Sequence, residues 1–233
     1  MTVWQKLSDF AGAVTDAGGG LLGDLAHVFG LERNGGHPEQ DIAFTIGVIA
    51  LSAKMAKADG AVSPLEVEAF RKIFHASPAE AANVERIFNL AKQDVAGYEA
   101  YADQIAALLK DNTKLRQDVL EGLLHVATAD GVLHPKEDVY LADVAKRFGF
   151  TPSEFRFFRA RFVRDNGNPY DVLRLEPAAT KEEIKVQYRK LVVDNHPDKL
   201  MGRGVPAEFV EIATRKLAAI NAAYDTIARE RGL

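Results

Sequence analysis

The chain has 233 residues, of which 47% are hydrophobic and 27% charged, proportions typical of a globular protein with a buried core. It contains no cysteine, which excludes disulfides, thiol catalysis and cysteine-ligated metal centres. The formal net charge of −4 provides no overall basic field, so we do not expect nucleic acid as a partner.

Apolar runs in the sequence are too short for a membrane-spanning helix, which needs about 20 mostly apolar residues. The longest run, 42–53, ends at Lys54. Asp9 and Asp16 interrupt the apolar residues near the start of the chain, unlike the core of a signal peptide. We therefore expect no membrane span, no secretory leader and a location in the cytoplasm.

The first 36 residues form an acidic segment with two basic and four acidic side chains. Apolar residues follow helical spacing on both sides of 18–20, three glycines that each cost a helix about 1 kcal/mol relative to alanine. The pattern predicts two short amphipathic helices with a flexible break. Packing on the protein itself or in a homodimer is favoured over peripheral membrane contact, because Lys6 and Arg33 are the only basic residues. Both alternatives stay open.

Helical patterns dominate the remainder of the chain, and sustained strand-like alternation is almost absent. Ser/Thr-Pro-x-Glu occurs at 63–66, 77–80 and 151–154, where the hydroxyl caps the first turn and Glu reaches back to the cap. A similar cap without proline begins at Thr180. The sequence therefore predicts an all-α protein.

Two loop signals rich in Asn, Gly and Pro, at 34–38 and 165–169, divide the chain. They predict three parts: the segment 1–36, a helical domain over 37–165 and a C-terminal domain over 166–233.

An internal duplication aligns 53–74 with 124–145 at an offset of 71 residues, and both copies contain Ala-Asp-Gly-x-x-x-Pro-x-Glu. Each copy predicts a helix–loop–helix unit with one carboxylate in the loop and one in the next helix. The four carboxylates are Asp59, Glu66, Asp130 and Glu137. If they converge, they form a site for a hard divalent cation such as Ca²⁺ or Mg²⁺. Otherwise they are Asp-Gly turns and helix caps.

The paired stretches resemble the TerB-like (tellurite-resistance) helical domain over roughly 40–160, in the version found in DjlA-type proteins. That resemblance implies an all-helical domain whose acidic residues are a proposed metal site, and this carries over to the four carboxylates. His134 stands where the first copy has Ser63, so the two halves are not equivalent.

The segment 155–164 interleaves aromatic and basic residues, as single-stranded nucleic-acid binding sites do. Phe155, Phe158 and Phe162 lie at i, i+3 and i+7, which instead predicts an amphipathic helix with these rings in the core. Arg156 and Arg164 then face solvent. We favour the amphipathic helix.

The C-terminal residues predict a helical hairpin. Asn168 caps a short helix with Pro169 at its first position, and a second helix runs from Thr180 to about Asn195. A third helix opens at Pro206 after a loop that contains glycines.

One face of the second helix carries a basic stripe formed by Lys181, Lys185 and Arg189, which lie one turn apart. His-Pro-Asp follows the helix at 196–198. The pattern places this tripeptide at the tip of the hairpin.

The hairpin resembles a J-domain of the DnaJ family. The matching motifs are Pro-Tyr-Asp-Val-Leu at 169–173, Glu-Ile-Lys-x-x-Tyr-Arg-Lys-Leu at 183–191, His-Pro-Asp-Lys at 196–199 and Ile-Asn-x-Ala-Tyr-Asp at 220–225. The resemblance implies a co-chaperone, not an enzyme, that binds ATP-loaded Hsp70 of the DnaK type and stimulates its ATPase. It assigns Hsp70 binding to His196, Pro197, Asp198, Lys181, Lys185, Tyr188, Arg189 and Lys190.

The loop over 199–206 is also similar to that of DjlA-type proteins, which end in a J-domain and begin with a membrane span. The sequence thus predicts an Hsp70 co-chaperone whose TerB-like domain serves targeting or sensing. The alternative is a Ca²⁺- or Mg²⁺-responsive sensor or scaffold with the J-domain as its output. A metal-dependent hydrolase is disfavoured, because no activated nucleophile or base accompanies the carboxylates.

Overall fold

The computed structural model describes residues 47–55, 85–86, 88–89, 91–92, 97–163, 168–196, 198–199 and 210–233. Every regular element in these ranges is helical, which confirms the all-α fold class. Residues 47–55 are helical. The labelled helices are α1 (Tyr98–Leu108), α2 (Thr113–Ala127), α3 (Pro135–Arg147), α4 (Pro152–Arg159), α5 (Pro169–Leu173), α6 (Lys181–Asp194) and α7 (Val210–Arg231).

Several predictions fall outside these ranges. They include the segment 1–36, the caps at 63–66 and 77–80, the first Ala-Asp-Gly copy with Asp59 and Glu66, Pro197, and the start of the third helix at Pro206. None of the described helices combines the length and apolar character needed to cross a membrane.

The starts of three helices confirm the predicted caps. At α4, the Thr151 hydroxyl accepts from the Glu154 amide at 3.2 Å, and the Glu154 carboxylate accepts from the Thr151 amide at 2.8 Å. Thr180 and Glu183 make the same reciprocal pair at α6, at 3.2 and 2.7 Å. At α5, the Asn168 side chain accepts from the Tyr170 amide. These caps satisfy backbone donors that a helix start leaves without partners.

A larger unit, comprising 47–55 and 98–163, surrounds one apolar core. Phe155 and Phe158 of α4 are buried in it, which confirms the inward face of the predicted amphipathic helix. Helix α4 ends at Arg159, so Phe162, which is also buried, lies in the turn that follows and not on the predicted helix. Arg156 is half exposed, also as predicted, with 52% of its side chain accessible. Arg164 lies beyond the described residues.

A hairpin unit, formed by α5, α6 and α7, has its own smaller core. The start of α6 meets the end of α7, where the Lys181 ammonium donates to the Gly232 carbonyl at 2.9 Å. The rings of Tyr188 and Tyr224 stack at 4.0 Å between the two helices. The two long helices therefore run antiparallel, as the sequence predicted.

Helix α7 contributes to both cores. Ile220 and Ile227 pack in the hairpin unit, whereas Ile212 and Ala213 pack in the larger unit. Ala213 and Ile220 lie seven residues apart, so helical spacing puts them on the same side of α7, yet they pack in different cores. Helix α7 reaches both cores because it is long. Its 22 residues span about 33 Å, whereas the 14 residues of α6 span about 21 Å.

Candidate functional site

The tip of the hairpin unit is anchored where α6 ends. Asn195 follows the helix and is buried, and its side-chain amide donates to the Leu191 carbonyl at 2.7 Å. The next residue, His196, turns outward with 57% of its side chain exposed. A buried asparagine thus fixes the position at which the exposed histidine leaves the helix.

His196 and Asp198 are held side by side. The Asp198 amide donates to His196 Nδ1 at 3.3 Å, and the Asp198 carboxylate lies 3.6 Å from the same nitrogen. When Nδ1 accepts, the neutral imidazole carries its proton on Nε2, which can donate to a partner. The Lys199 ammonium lies 3.6 Å from the carboxylate of Asp194, so an ion pair connects the tip to the end of α6.

An exposed face of α6 leads to this tip. Lys181 and Arg189 are exposed and Lys185 is half-buried, so the predicted basic stripe reaches solvent. Val186 and Val193 lie three and four residues from Arg189 and are 55% and 51% exposed. Sequence reasoning missed these two valines, although apolar residues on a charged helix face are a recognisable sign of an interaction surface.

Two of the predicted site residues face elsewhere. The Tyr188 ring stacks on Tyr224, and its hydroxyl donates to Asn221 at 3.1 Å, so it holds α6 against α7. Lys190 lines a cavity of about 70 Å³ between α6 and α2, together with Lys114. The basic stripe, the two valines and the tip therefore form one accessible surface, and Lys190 is exposed on the side of α6 that faces α2.

The described carboxylates of the duplicated region have local roles. One oxygen of Asp130 accepts from the Val132 amide at 2.9 Å, and the other lies 3.5 Å from His134 Nε2. Buried Glu137 accepts from the His134 amide at 3.1 Å. Asp130 and Glu137 therefore act as an Asp-Gly turn and a helix cap, the alternative to a metal site. Within the described ranges, no three His, Asp or Glu side chains group as metal ligands, and Asp59 and Glu66 lie outside them.

A buried charge cluster joins the two units. Glu121 of α2 is fully buried and accepts from the Gln117 side chain at 2.9 Å, from the Lys216 ammonium and from Arg161 Nη1 at 3.4 Å. Burial alone would raise the pKa of Glu121, but the charges of Lys216 and Arg161 hold that pKa well below its ordinary range. The sequence did not indicate this cluster, because Arg161 and Lys216 lie 40 and 95 residues away from Glu121 along the chain.

Lowering the pH from 6.5 toward 4 is expected to destabilise the protein through His125. Burial and the neighbouring Arg215 lower the pKa of His125 from 6.5 to about 4. In the unfolded chain this histidine is protonated below pH 6.5, whereas in the folded protein it stays neutral until about pH 4. The free energy of unfolding therefore decreases as the pH falls from 6.5 to 4. We expect a loss of about 1–3 kcal/mol from this group.

The measurement is urea unfolding at several pH values for the unaltered chain and His125→Gln. The carboxylates titrate in both proteins, so the difference between the two pH dependences reports on His125. His134→Gln is the control, because that histidine is exposed. Parallel pH dependences for the unaltered chain and His125→Gln would contradict the prediction.

The hairpin, its anchored tip and its basic face define a class: a J-domain protein that also carries a TerB-type helical domain. The model of the DnaJ domain matches residues 168–231, and that of tellurite resistance protein TerB matches 45–160. We call the hairpin unit the J-domain and the larger unit the TerB domain. The chain belongs to the DjlA family of co-chaperone proteins.

Three relatives, each named co-chaperone protein DjlA, illustrate the membership. The protein of Photobacterium profundum is 30% identical, with 92% of this chain and 85% of the relative aligned. That of Coxiella burnetii is 30% identical over 77% and 74% of the two chains. That of Escherichia coli (strain K12) is 26% identical over 100% and 99%. No solved structure gives a significant match.

Proposed function

We propose that this chain is a co-chaperone that binds a DnaK-type Hsp70 in its ATP-bound state and stimulates its ATP hydrolysis. The observation that carries the proposal is the tip, where His196 and Asp198 are exposed and held 3.6 Å apart at the end of a basic helix. A small, anchored group of this kind can enter a cleft on a partner with little loss of conformational freedom.

The exposed face of α6 supports the first step, which is docking. Lys181, Lys185 and Arg189 provide positive charge that attracts an acidic surface over several ångströms and accelerates encounter. Val186 and Val193 then provide apolar surface that is buried when the partner binds, which favours the complex. The proposed partner surface is therefore acidic with a shallow apolar centre.

The tip supports the second step, which is stimulation. The Nε2–H of His196 and the carboxylate of Asp198 offer a donor and an acceptor next to each other. In this proposal they rearrange hydrogen bonds of the Hsp70 near its nucleotide site. The hydrolysis belongs to the Hsp70, and the chain performs no reaction of its own.

In this proposal the TerB domain serves targeting or sensing, and the J-domain acts on Hsp70. Because the proposed partner consumes ATP, the proposal places the J-domain in the cytoplasm. Asp130 and Glu137 act as turn and cap in the described residues, and we therefore do not base the proposed function on a metal.

Reversing the stripe with Lys185→Glu and Arg189→Glu is expected to slow association with ATP-bound Hsp70 by about tenfold or more at low salt. The reason is that charges at the rim of an interface mainly set the association rate and its dependence on ionic strength. The measurement is stopped-flow or surface-based association between about 25 and 300 mM salt, concentrations at which screening lengths change severalfold.

The control is Lys136→Glu with Lys146→Glu, two exposed lysines of α3 in the TerB domain. This pair makes the same change in net charge at a distance from α6. Slowing confined to the stripe variant supports the proposed surface. Equal association rates and equal salt dependences for the two variants would contradict it.

A further inference from the structure

Charged groups from both domains meet in the buried interface around Glu121. Lys216 comes from α7 of the J-domain and is 1% exposed, while Glu121 comes from α2 of the TerB domain. Arg161, which follows α4, also donates from its Nε to the Val172 carbonyl of the J-domain at 3.2 Å. The Glu121 carboxylate thus pairs with two buried cations, one from each domain, and the carboxylate of Asp118 in α2 lies 3.9 Å from the Lys216 ammonium. These groups are buried, so water cannot replace the carboxylates.

A second set of contacts surrounds this cluster. Arg215 of α7 donates to the carbonyls of Phe162 and Thr128 in the TerB domain, at 3.0 and 3.4 Å. Ile212 and Ala213, from the turn of α7 before it, are buried in the TerB core. The first turns of α7 therefore pack as part of the TerB domain.

Arg174 adds an observation of a different kind. It ends α5 with φ 57° and ψ 47°, a left-handed conformation that glycine adopts without strain and that costs other residues roughly 1–2 kcal/mol. Its guanidinium lies 4.8 Å from the centre of the Phe158 ring in the TerB domain. Arg174 is thus a residue with a strained backbone in the J-domain, and its favourable cation–π contact is with a ring of the TerB domain.

We propose that the two domains are docked in solution as one rigid body, held by the shared carboxylate of Glu121 and by the Arg174 contact across the interface. Domains in one chain otherwise tend to move relative to each other. Docking determines which side of α6 a partner can reach. Helix α2 lies beside Gln187 and Asp194, across the 70 Å³ cavity, and leaves the side with Arg189 open.

An exposed arginine that forms two ion pairs across the same interface provides the matched control. Arg156 of α4 lies 3.4 Å from Asp171 and 3.8 Å from Glu176 of the J-domain, with 52% of its side chain exposed. Ion pairs of an exposed side chain contribute about 0–1 kcal/mol each, so removing the Arg156 charge should leave the domains docked.

The experiment uses the absence of cysteine in the sequence. Val139→Cys in α3 and Glu182→Cys in α6 introduce one exposed labelling site in each domain. Spin labels on the full chain then report the distribution of distances between the domains. We expect one narrow distribution for the chain with only these two changes. The same result is expected when Arg156→Gln is added.

Adding Glu121→Gln or Arg174→Gly is expected to widen the distribution at least about two-fold, the behaviour of domains that are no longer held. Circular dichroism checks that each variant keeps its helices. Arg174→Gly decides the outcome if Glu121→Gln does not fold, because glycine relieves backbone strain within the J-domain.

A broad distribution in the unaltered background would overturn the proposal. So would a narrow distribution in Arg174→Gly or in folded Glu121→Gln. No Hsp70 is present in this experiment, so its failure is distinct from failure of the proposed co-chaperone function.

Discussion

Replacing Glu121 with glutamine is expected to destabilise the protein by about 3–5 kcal/mol, because it removes the carboxylate that pairs with buried Arg161 and buried Lys216. Lys216 then keeps the more distant Asp118 carboxylate, 3.9 Å from its ammonium. Lys216 and Arg161 are 1% and 3% exposed, so solvent cannot take over the role of the carboxylate. Glutamine keeps the size of the side chain and can still accept from Gln117. The loss therefore reports on charge and not on a cavity.

Urea unfolding at pH 7, followed by circular dichroism, measures this free energy. Glu182→Gln is the control, since Glu182 lies on the exposed face of α6 and such surface changes usually stay within about 0.5 kcal/mol. A change of less than about 1 kcal/mol in Glu121→Gln would contradict the account of the cluster.

The contribution of Glu121 also has a defined pH dependence. Its two cations hold its pKa below the ordinary 4.5, so the contribution is complete above pH 4.5 and is lost only as the pH falls toward the lowered pKa. The difference between the unaltered chain and Glu121→Gln should therefore be constant near neutrality and shrink below pH 4.5.

His196→Gln is expected to reduce stimulation of Hsp70 ATP hydrolysis to the basal rate without altering the fold. The side chain is 57% exposed and lies beyond the end of α6, so its replacement opens no cavity. Glutamine cannot reproduce the imidazole, which accepts at Nδ1 from the Asp198 amide while presenting a donor at Nε2.

The matched control is His134→Gln, because the side chain of His134 is 54% exposed and lies in the TerB domain. We expect this variant to stimulate hydrolysis as the unaltered chain does. Full stimulation by folded His196→Gln would show that the tip does not act in the way proposed.

Local sequence signals predicted the features of the fold that depend on neighbouring residues. The Thr151 and Thr180 caps form as expected, because each pairs residues three positions apart on one helix turn. The burial of Phe155 and Phe158 followed from their helical spacing, whereas Phe162 is buried in the turn after α4. Asp130 and Glu137 have the turn and cap roles that the same local rules describe.

The interface between the domains could not be predicted in this way. Lys, Arg and Glu are ordinarily exposed, so Lys216, Arg161 and Glu121 gave no sign of burial in the sequence. Their pairing depends on how α7 packs against α2, which is a tertiary relationship between distant segments. The one local sign was Arg174, a residue other than glycine at the end of a short helix.

The candidate site was predicted in part. The His-Pro-Asp motif and the basic stripe followed from the resemblance and from helical spacing. The inward packing of Tyr188 and the position of Lys190 beside the cavity depend on neighbours in α7 and α2. Val186 and Val193 are apolar residues on a charged helix face, and their exposure shows that they lie on the accessible surface.

The most direct test of the central claim is single-turnover hydrolysis of ATP preloaded on a DnaK-type Hsp70, measured with increasing concentrations of the unaltered full chain. The account predicts that the hydrolysis rate constant rises with concentration and saturates as the tip and the α6 face engage the Hsp70. A rate constant that stays at the basal value at every concentration, with the chain folded and the Hsp70 responsive to another J-domain protein, would contradict it.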